Sequence, residues 1–170
     1  AYGARTATKE RPSVLVLEKM PRPGRKIMIT GKGRCNFTNV KGWSDFSSHV
    51  RSNSNVLRPA FYSLPPDALI DFFNANGMES VVERGDRAFP VSHRSMDVVD
   101  ALYSAARNAG ARVMTDAEVT GVRMEDEFGN RIFAVETADG QSFSSGRLII
   151  ATGGLSYPNT GSTGDGYTFA

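Results

Sequence analysis

The sequence has 170 residues, 40% of them hydrophobic and 22% charged, with a formal net charge of +2. That length and apolar content suit one ordinary domain with a core, which excludes a wholly disordered chain. One cysteine and two histidines exclude an internal disulfide and leave a zinc cage short of ligands.

In chain order, residues 1–10 read as the end of a helix, stopped by Arg11-Pro12. Residues 13–18 form a short continuous apolar run ending in Glu18, the pattern of a parallel strand buried on both faces. Pro21, Pro23 and Gly24 break the chain, and a glycine-rich loop follows through Asn39. Pro66-Asp67 opens a helix with Leu69, Ile70, Phe72 and Phe73 on its apolar side and Gly77 just past its end. Residues 79–84 and 87–91 are short β-prone pieces. Ser95 caps a further helix carrying Val98, Val99, Leu102 and Ala106, which stops at Gly110. Residues 111–114 form a strand. Residues 119–125 and 131–137 alternate as a hairpin around Phe128-Gly129-Asn130, and 141–143 add a third short strand. Residues 148–151 return to the buried-strand pattern. Strands alternating with helices predict an α/β fold with a mostly parallel sheet and the meander as a crossover.

No apolar run approaches the ~18 residues of a membrane span. Residues 1–12 carry Arg5, Lys9, Glu10 and Arg11 where a signal peptide would be apolar. The expectation is a cytoplasmic protein without membrane attachment. Its near-neutrality hides an asymmetry. Residues 1–42 hold ten bases against two acids, a balance of +8, and residues 43–170 hold ten bases against sixteen acids, a balance of −6. A dense basic segment attracts phosphate, on a nucleotide or on nucleic acid; a solvated lysine-rich loop is the competing reading. Arg25, Lys26, Lys32 and Arg34 lie among glycines, whose amides can approach an anion closely.

Three constellations carry chemistry. Glu18 closes a predicted strand, where an acid in a dinucleotide-binding βαβ unit accepts ribose hydroxyls; a solvated strand-end charge is the alternative. The Gly-x-Gly-x-x-Gly turn that should precede it by about 20 residues is absent. The second runs from Pro23-Gly24-Arg25-Lys26 through Thr30-Gly31-Lys32-Gly33-Arg34-Cys35-Asn36-Phe37-Thr38-Asn39, mixing cations, small polar donors and freed amides suited to a pyrophosphate. The third, Ala151-Thr152-Gly153-Gly154 through Gly164-Asp165-Gly166, follows the expected returning strand at the end where open α/β sheets bind ligands. From Asn159 onward it also reads as a surface loop.

These segments, with Leu17-Glu18-Lys19 and Arg87-Ala88-Phe89-Pro90-Val91-Ser92, resemble the bacterial BaiN-type NAD(P)/FAD-dependent oxidoreductases, a family that also contains aminoacetone oxidases. The resemblance runs in order over essentially the whole chain. It implies a glutathione-reductase-like, Rossmann-type FAD-binding fold with a β-meander and a helical insert. Residues 1–42 would be a first FAD-binding part lacking the phosphate turn, 43–94 a helical and β insert, and 95–170 a second FAD-binding part with the meander. It further implies that Glu18 holds the adenosine ribose, that Lys19 beside it belongs to the cofactor-binding set, and that Gly24, Arg25 and Lys26 lie near ribose and phosphates. Thr30, Gly31, Gly33, Arg34, Cys35, Asn36, Thr38 and Asn39 would run past the pyrophosphate toward the isoalloxazine. Val119 would meet adenine through its backbone, and Ala151, Thr152, Gly153 and Gly154 would close over the cofactor. Lys32 stands where the family usually carries glycine and is left out of this set.

Without a Cys-x-x-Cys partner, Cys35 reads as a packing residue more readily than as a redox thiol. His49 and His93 show no base–nucleophile pairing, so no catalytic acid or base is named. Trp43 and Phe46 are expected to anchor the insert. The implied activity is an FAD oxidoreductase passing a hydride between NAD(P)H and a small organic substrate, with reduction of an activated C=C bond or oxidation of a small amine as reactions. An RNA-modifying, dihydrouridine-forming flavoenzyme and a truncated nucleotide-binding module without activity are the alternatives. The chain reads as an incomplete unit, and weak or absent FAD binding is expected of these 170 residues alone. Oligomeric state is open.

Overall fold

The computed structural model describes residues 13–127 and 129–170. The helix expected over 1–10 and Phe128 of the hairpin tip lie outside the described residues. The chain divides into two compact units, one formed by 1–26 with 106–170 and the other by Ile27–Ala105.

In the first unit, β1 (Val14–Leu17) and β5 (Ala111–Met114) pair in parallel, from Val14 opposite Ala111 to Leu17 opposite Met114. The backbone continues this pairing past the strand ends. The Glu18 N–H donates to the Met114 carbonyl at 2.9 Å, and the Ala117 N–H donates to the Glu18 carbonyl at 3.0 Å. Glu18 is thereby fixed at the carboxyl end of β1. The alternating segments form an antiparallel meander, β6 (Val119–Glu127), β7 (Asn130–Thr137) and β8 (Ser142–Ser145), in that spatial order. Gly129, at φ +82°, turns the hairpin, with its N–H on Asp126 Oδ1 at 2.8 Å. Val119 is the first residue of the meander.

Two expectations fail in this unit. The β1 run is not buried on both faces, since Leu15 and Val16 are each 37% exposed. Residues 148–151 form no strand; Ile149 is 87% exposed. A strand needs a neighbour for its N–H and C=O groups. Among the described residues β1 pairs only with β5, and the Leu-Ile-Ile run has no ladder partner. Apolar composition identified a segment able to be a strand, but pairing decides whether it is one.

In the second unit, β2 (Thr38–Asn39), β4 (Arg87–Pro90) and β3 (Ser80–Glu83) form an antiparallel sheet with β4 central. Ala88, Phe89 and Pro90 are accordingly buried. The helices are α1 (Arg25–Ile29), α2 (Trp43–Ser48), α3 (Arg58–Ser63), α4 (Pro66–Ala75) and α5 (Ser95–Asn108); α1 and α5 each contain residues of both units. Pro66 suits the first turn of α4 because no intrahelical N–H is needed there. Gly77 at φ +82° ends the helix, and the Met78 N–H returns to the Phe73 carbonyl at 3.0 Å.

The core of this unit gathers Cys35, Phe73, Met78, Val98 and Ala101, with Ile27, Phe37, Leu69 and Phe72 packed around it. Ala101, not Leu102, lies on the buried side of α5; Leu102 is exposed. Ser95 does not cap α5 either, because its hydroxyl donates to the Met28 carbonyl at 2.8 Å. The expected anchor of the insert is present: Trp43 packs its ring 5.7 Å from Phe46 and 5.4 Å from Phe61. No helix among the described residues is long and apolar enough to cross a membrane.

Candidate functional site

The predicted residues fall into both units. In the first, the end of β1 turns sharply through Glu18, Lys19 and Met20. Glu18 Oε1 accepts the Met20 N–H at 2.8 Å, which fixes the carboxylate against its own turn. Its second oxygen has no partner among the described residues. A carboxylate oxygen held ready at the end of a parallel strand is the acceptor a ribose hydroxyl needs.

The loop that begins at Thr152 is folded against this turn by close approaches at glycines. Gly153 has φ +77°, and a Cβ there would stand 2.8 Å from the Ser162 hydroxyl. Gly161, at φ +95°, leaves room for the Met20 side chain, which a Cβ would meet at 2.8 Å. The Gly166 N–H donates to Thr152 Oγ1 at 3.0 Å, closing the loop at the start of α6 (Asp165–Phe169). The Lys19 ammonium lies 2.6 Å from Asp165 Oδ2 and also donates to the Thr163 hydroxyl, which in turn donates to Asp165 Oδ1 at 2.7 Å. Lys26 reaches Ser156 Oγ at 3.2 Å. Glu18, Lys19, Lys26, Thr152, Gly153 and Gly154 are thus brought into one structure, while Val119 sits on the adjoining meander.

The Asp165 carboxyl is held below the usual carboxylate range, first by the Lys19 hydrogen bond and then by Thr163. A carboxyl depressed in the fold stabilises it above the ordinary aspartate range and loses that contribution as pH falls through the depressed value. Asp165→Asn is therefore expected to lower stability at neutral and alkaline pH, and to do so progressively less as pH falls below the ordinary aspartate range, so that part of the acid-side slope is lost. Thermal melts across pH check it.

In the second unit the segment expected as a loop begins with a helical turn. Thr30 to Gly33 continue α1 as a 3-10 turn in which Gly31 and Lys32 adopt left-handed geometry, φ +55° and +57°. At Gly31 a Cβ would lie 2.9 Å from the Asn36 backbone nitrogen, so glycine is required there. Several predicted ligands have their polar groups engaged within the unit. The Arg34 guanidinium pairs with Glu83, donates from Nε to His93 Nδ1 at 3.2 Å, and lies 4.3 Å from the Phe89 ring centre. Thr38 and Asn39 belong to β2, and Asn39 Nδ2 donates to the Gly85 carbonyl at 2.8 Å. The Thr30 hydroxyl donates to the Ile27 carbonyl at 2.7 Å. Gly33 is open, with nothing within 4 Å of a Cβ position.

Cys35 is 4% exposed in the core, and burial pushes its thiol up, opposed by a hydrogen bond with Thr30. Its thiolate fraction at neutral pH is small and its sulfur is covered, so disulfide reagents are expected to react at least ~100-fold more slowly with native than with urea-unfolded protein. Release of a chromogenic thiol from the reagent measures this.

Sequence reading missed Thr163 and Asp165, whose stretch looked like a surface loop, and Glu83 and His93, partners of Arg34. No signal in Gly164-Asp165-Gly166 marked the pairing, since an acid after a glycine at a helix start is explained by the turn alone.

Donor chemistry here fits a phosphate-bearing dinucleotide in part. A strand-end carboxylate, glycine backbones at close approach and the basic Arg25 and Lys26 are present, whereas the phosphate-binding turn is not in the sequence. Together, the parallel β1–β5 pair, its helices and the strand-end acid define a Rossmann-type nucleotide-binding protein.

The chain belongs to the HI0933-like protein Rossmann domain family, whose model matches residues 1–170. It is similar to a 3-dehydro-bile acid delta(4,6)-reductase of Clostridium scindens, at 29% identity over 157 residues, covering 92% of this chain and 36% of the relative. It is likewise similar to ribosomal RNA dihydrouridine synthases, at 29% identity for that of Escherichia coli, covering 92% of this chain and 37% of the relative. The Haemophilus influenzae protein of that name is 27% identical, covering 93% and 38%. The chain therefore spans somewhat over one third of the length of these curated relatives.

Proposed function

We propose that this chain is the FAD-binding portion of an oxidoreductase that reduces a carbon–carbon double bond conjugated to a carbonyl, with NAD(P)H as donor. The observation that carries the reading is Glu18, fixed at the end of β1 with one carboxylate oxygen unpartnered among the described residues and the glycine-clamped 152–166 loop beside it. Glu18 would hold the adenosine ribose, Gly24, Arg25 and Lys26 the neighbouring phosphates, and the Thr152, Gly153 and Gly154 backbone would close over the cofactor. Bound FAD would supply the two-electron carrier between nicotinamide and substrate.

Relatives with different substrates support the reaction class. A 3-oxo bile acid with 4,6 unsaturation and a uracil ring each place a C=C bond in conjugation with a carbonyl, so hydride addition is activated in both. Anaerobic mixing of the FAD-loaded whole protein with NAD(P)H, then with a small conjugated enone, tests this. Flavin bleaching by NAD(P)H followed by enone-dependent return of colour supports the reading. Bleaching with no reoxidation by any conjugated carbonyl compound contradicts it.

One observation favours RNA as the substrate. The insert exposes Tyr62 beside Arg58, whose guanidinium is 5.9 Å from the ring centre, and among the described residues neither Arg51 nor Arg58 has an acidic partner. Exposed aromatics with unpaired cations suit stacked bases and phosphates. Binding of the whole protein to unmodified ribosomal RNA that falls steeply with salt, and weakens in Arg58→Ala, is the result expected on that reading.

A further inference from the structure

We propose that Lys19, Thr163 and Asp165 form a clamp that fixes the 152–166 loop to the end of β1, which makes Lys19 a positioning residue and not a phosphate ligand. The proposal rests on the FAD-binding reading above and reassigns one of its basic residues.

The Lys19 ammonium has three N–H donors. One meets Asp165 Oδ2 at 2.6 Å and another the Thr163 hydroxyl, while Thr163 occupies the other carboxylate oxygen at 2.7 Å. The side chains of Lys19 and Asp165 are only 18% and 27% exposed. A cation whose charge is already met by a half-buried carboxylate offers a phosphate little net attraction, and taking it away would leave that carboxylate unpaired at a cost. The same two groups join positions 146 residues apart in sequence.

Nonpolar contacts act in the same direction. Met20, next to Lys19, fills the space at Gly161, and the Lys19 Cε atom lies 3.6 Å from the position a Cβ would take there. At the far side of the loop Lys26 holds Ser156, and within it Gly166 closes onto Thr152. Segment 19–26 therefore grips the loop at several points, one of them the Lys19–Asp165 ion pair. Asp165 is ionised at neutral pH as any ordinary aspartate is, and the Lys19 hydrogen bond holds its carboxyl lower still, so the pair persists under ordinary conditions. The consequence is that Gly153 and Gly154 are presented to the cofactor by an ion pair whose acidic member, Asp165, lies outside the predicted contact set.

The test is a double-mutant cycle in the whole protein, reading FAD affinity by quenching of flavin fluorescence. A clamp predicts that Lys19→Met and Asp165→Asn each weaken FAD about tenfold, that the double variant is no worse than either single, and that the slope of FAD affinity against salt is unchanged in Lys19→Met. The charge-swapped pair, Lys19→Asp with Asp165→Lys, should recover part of the loss. A phosphate ligand predicts otherwise: Lys19→Met weakens FAD and flattens the salt slope, while Asp165→Asn leaves affinity unchanged or tightens it by freeing the lysine. That outcome overturns the proposal.

Hydrogen exchange of the cofactor-free protein gives a second readout that separates this proposal from the FAD reading. The clamp predicts faster exchange of amides 160–167 in both single variants, whether or not FAD binds. Unchanged exchange in both would also overturn it. Absence of FAD binding by the parent protein, with loop exchange accelerated in the variants, would sink the flavoprotein reading and leave the clamp standing.

Discussion

Gly153→Val is expected to cost about 2–4 kcal/mol of stability in the loop that carries it and to weaken FAD binding by at least about tenfold. Two effects combine. The residue sits at φ +77°, in the left-handed region that a β-branched side chain strongly disfavours. Its Cβ would also stand 2.8 Å from the Ser162 hydroxyl and 3.6 Å from the Ser162 Cβ. Ser162 is 6% exposed, so it cannot simply swing into solvent, and the loop must move instead. Gly146 supplies the control: it has neither a positive φ nor any atom within 4 Å of a Cβ position. Gly146→Ala should therefore change stability by less than ~1 kcal/mol and leave FAD affinity alone. Thermal melts and FAD titrations of the whole protein compare the two. Equal effects would mean that the close approach at Gly153 has no bearing on the cofactor.

The largest loss of stability is expected from Phe73→Ala, at about 3–5 kcal/mol. Phe73 is 3% exposed on α4 and meets Phe37 edge to face, with ring centres 4.8 Å apart at 61°, and Phe72 at 5.4 Å. Removing the ring leaves a cavity among Cys35, Met78, Val98 and Ala101. Cys35 and Phe37 belong to the segment running from Thr30 to Asn39, so the same cavity loosens the predicted cofactor stretch without touching any of its polar groups. The variant should show a lower midpoint of urea unfolding and a Cys35 thiol that reacts faster under native conditions. A full loss of stability with unchanged thiol reactivity would show that Cys35 is held independently of the Phe73 core.

Local signals made much of this unit legible. Pro66 and Gly77 delimit α4 closely because each has a backbone reason for its position, and Val98 marks the buried face of α5 through helical spacing. The alternation around Gly129 identified the β6–β7 hairpin for the same reason: period and turn geometry are properties of neighbouring residues. The error at 148–151 arises because a strand is defined by a partner, and no property of Leu-Ile-Ile itself supplies one. Ser95 misled in a similar way, since its hydroxyl finds the Met28 carbonyl, 67 residues away, in place of its own helix terminus.

Two glycines of the predicted segments have a structural requirement. Gly31 and Gly153 belong to the segments expected to meet the cofactor, and a Cβ at either would come within 3 Å of another group of the chain itself. The charged residues are less legible in the sequence. Arg34 lies among glycines and Lys19 beside the strand-end acid, and nothing in either segment marks the intramolecular partner that the side chain finds. Their partners, Glu83 and Asp165, lie 49 and 146 residues away. The basic balance of residues 1–42 therefore overstates the charge available to a cofactor, because part of it is neutralised inside the fold. Arg25 and Lys26 carry more of the proposed phosphate recognition than the segment's raw charge suggests.

The central claim is that this Rossmann-type chain serves FAD, with Glu18 at the ribose. The most direct measurement is the visible spectrum of the purified whole protein after FAD addition and gel filtration, alongside Glu18→Ala. The account predicts a yellow protein carrying about one FAD per chain, and loss of most of that flavin in Glu18→Ala. A whole protein that stays colourless with FAD in excess, or a Glu18→Ala variant that retains the full complement, would contradict it.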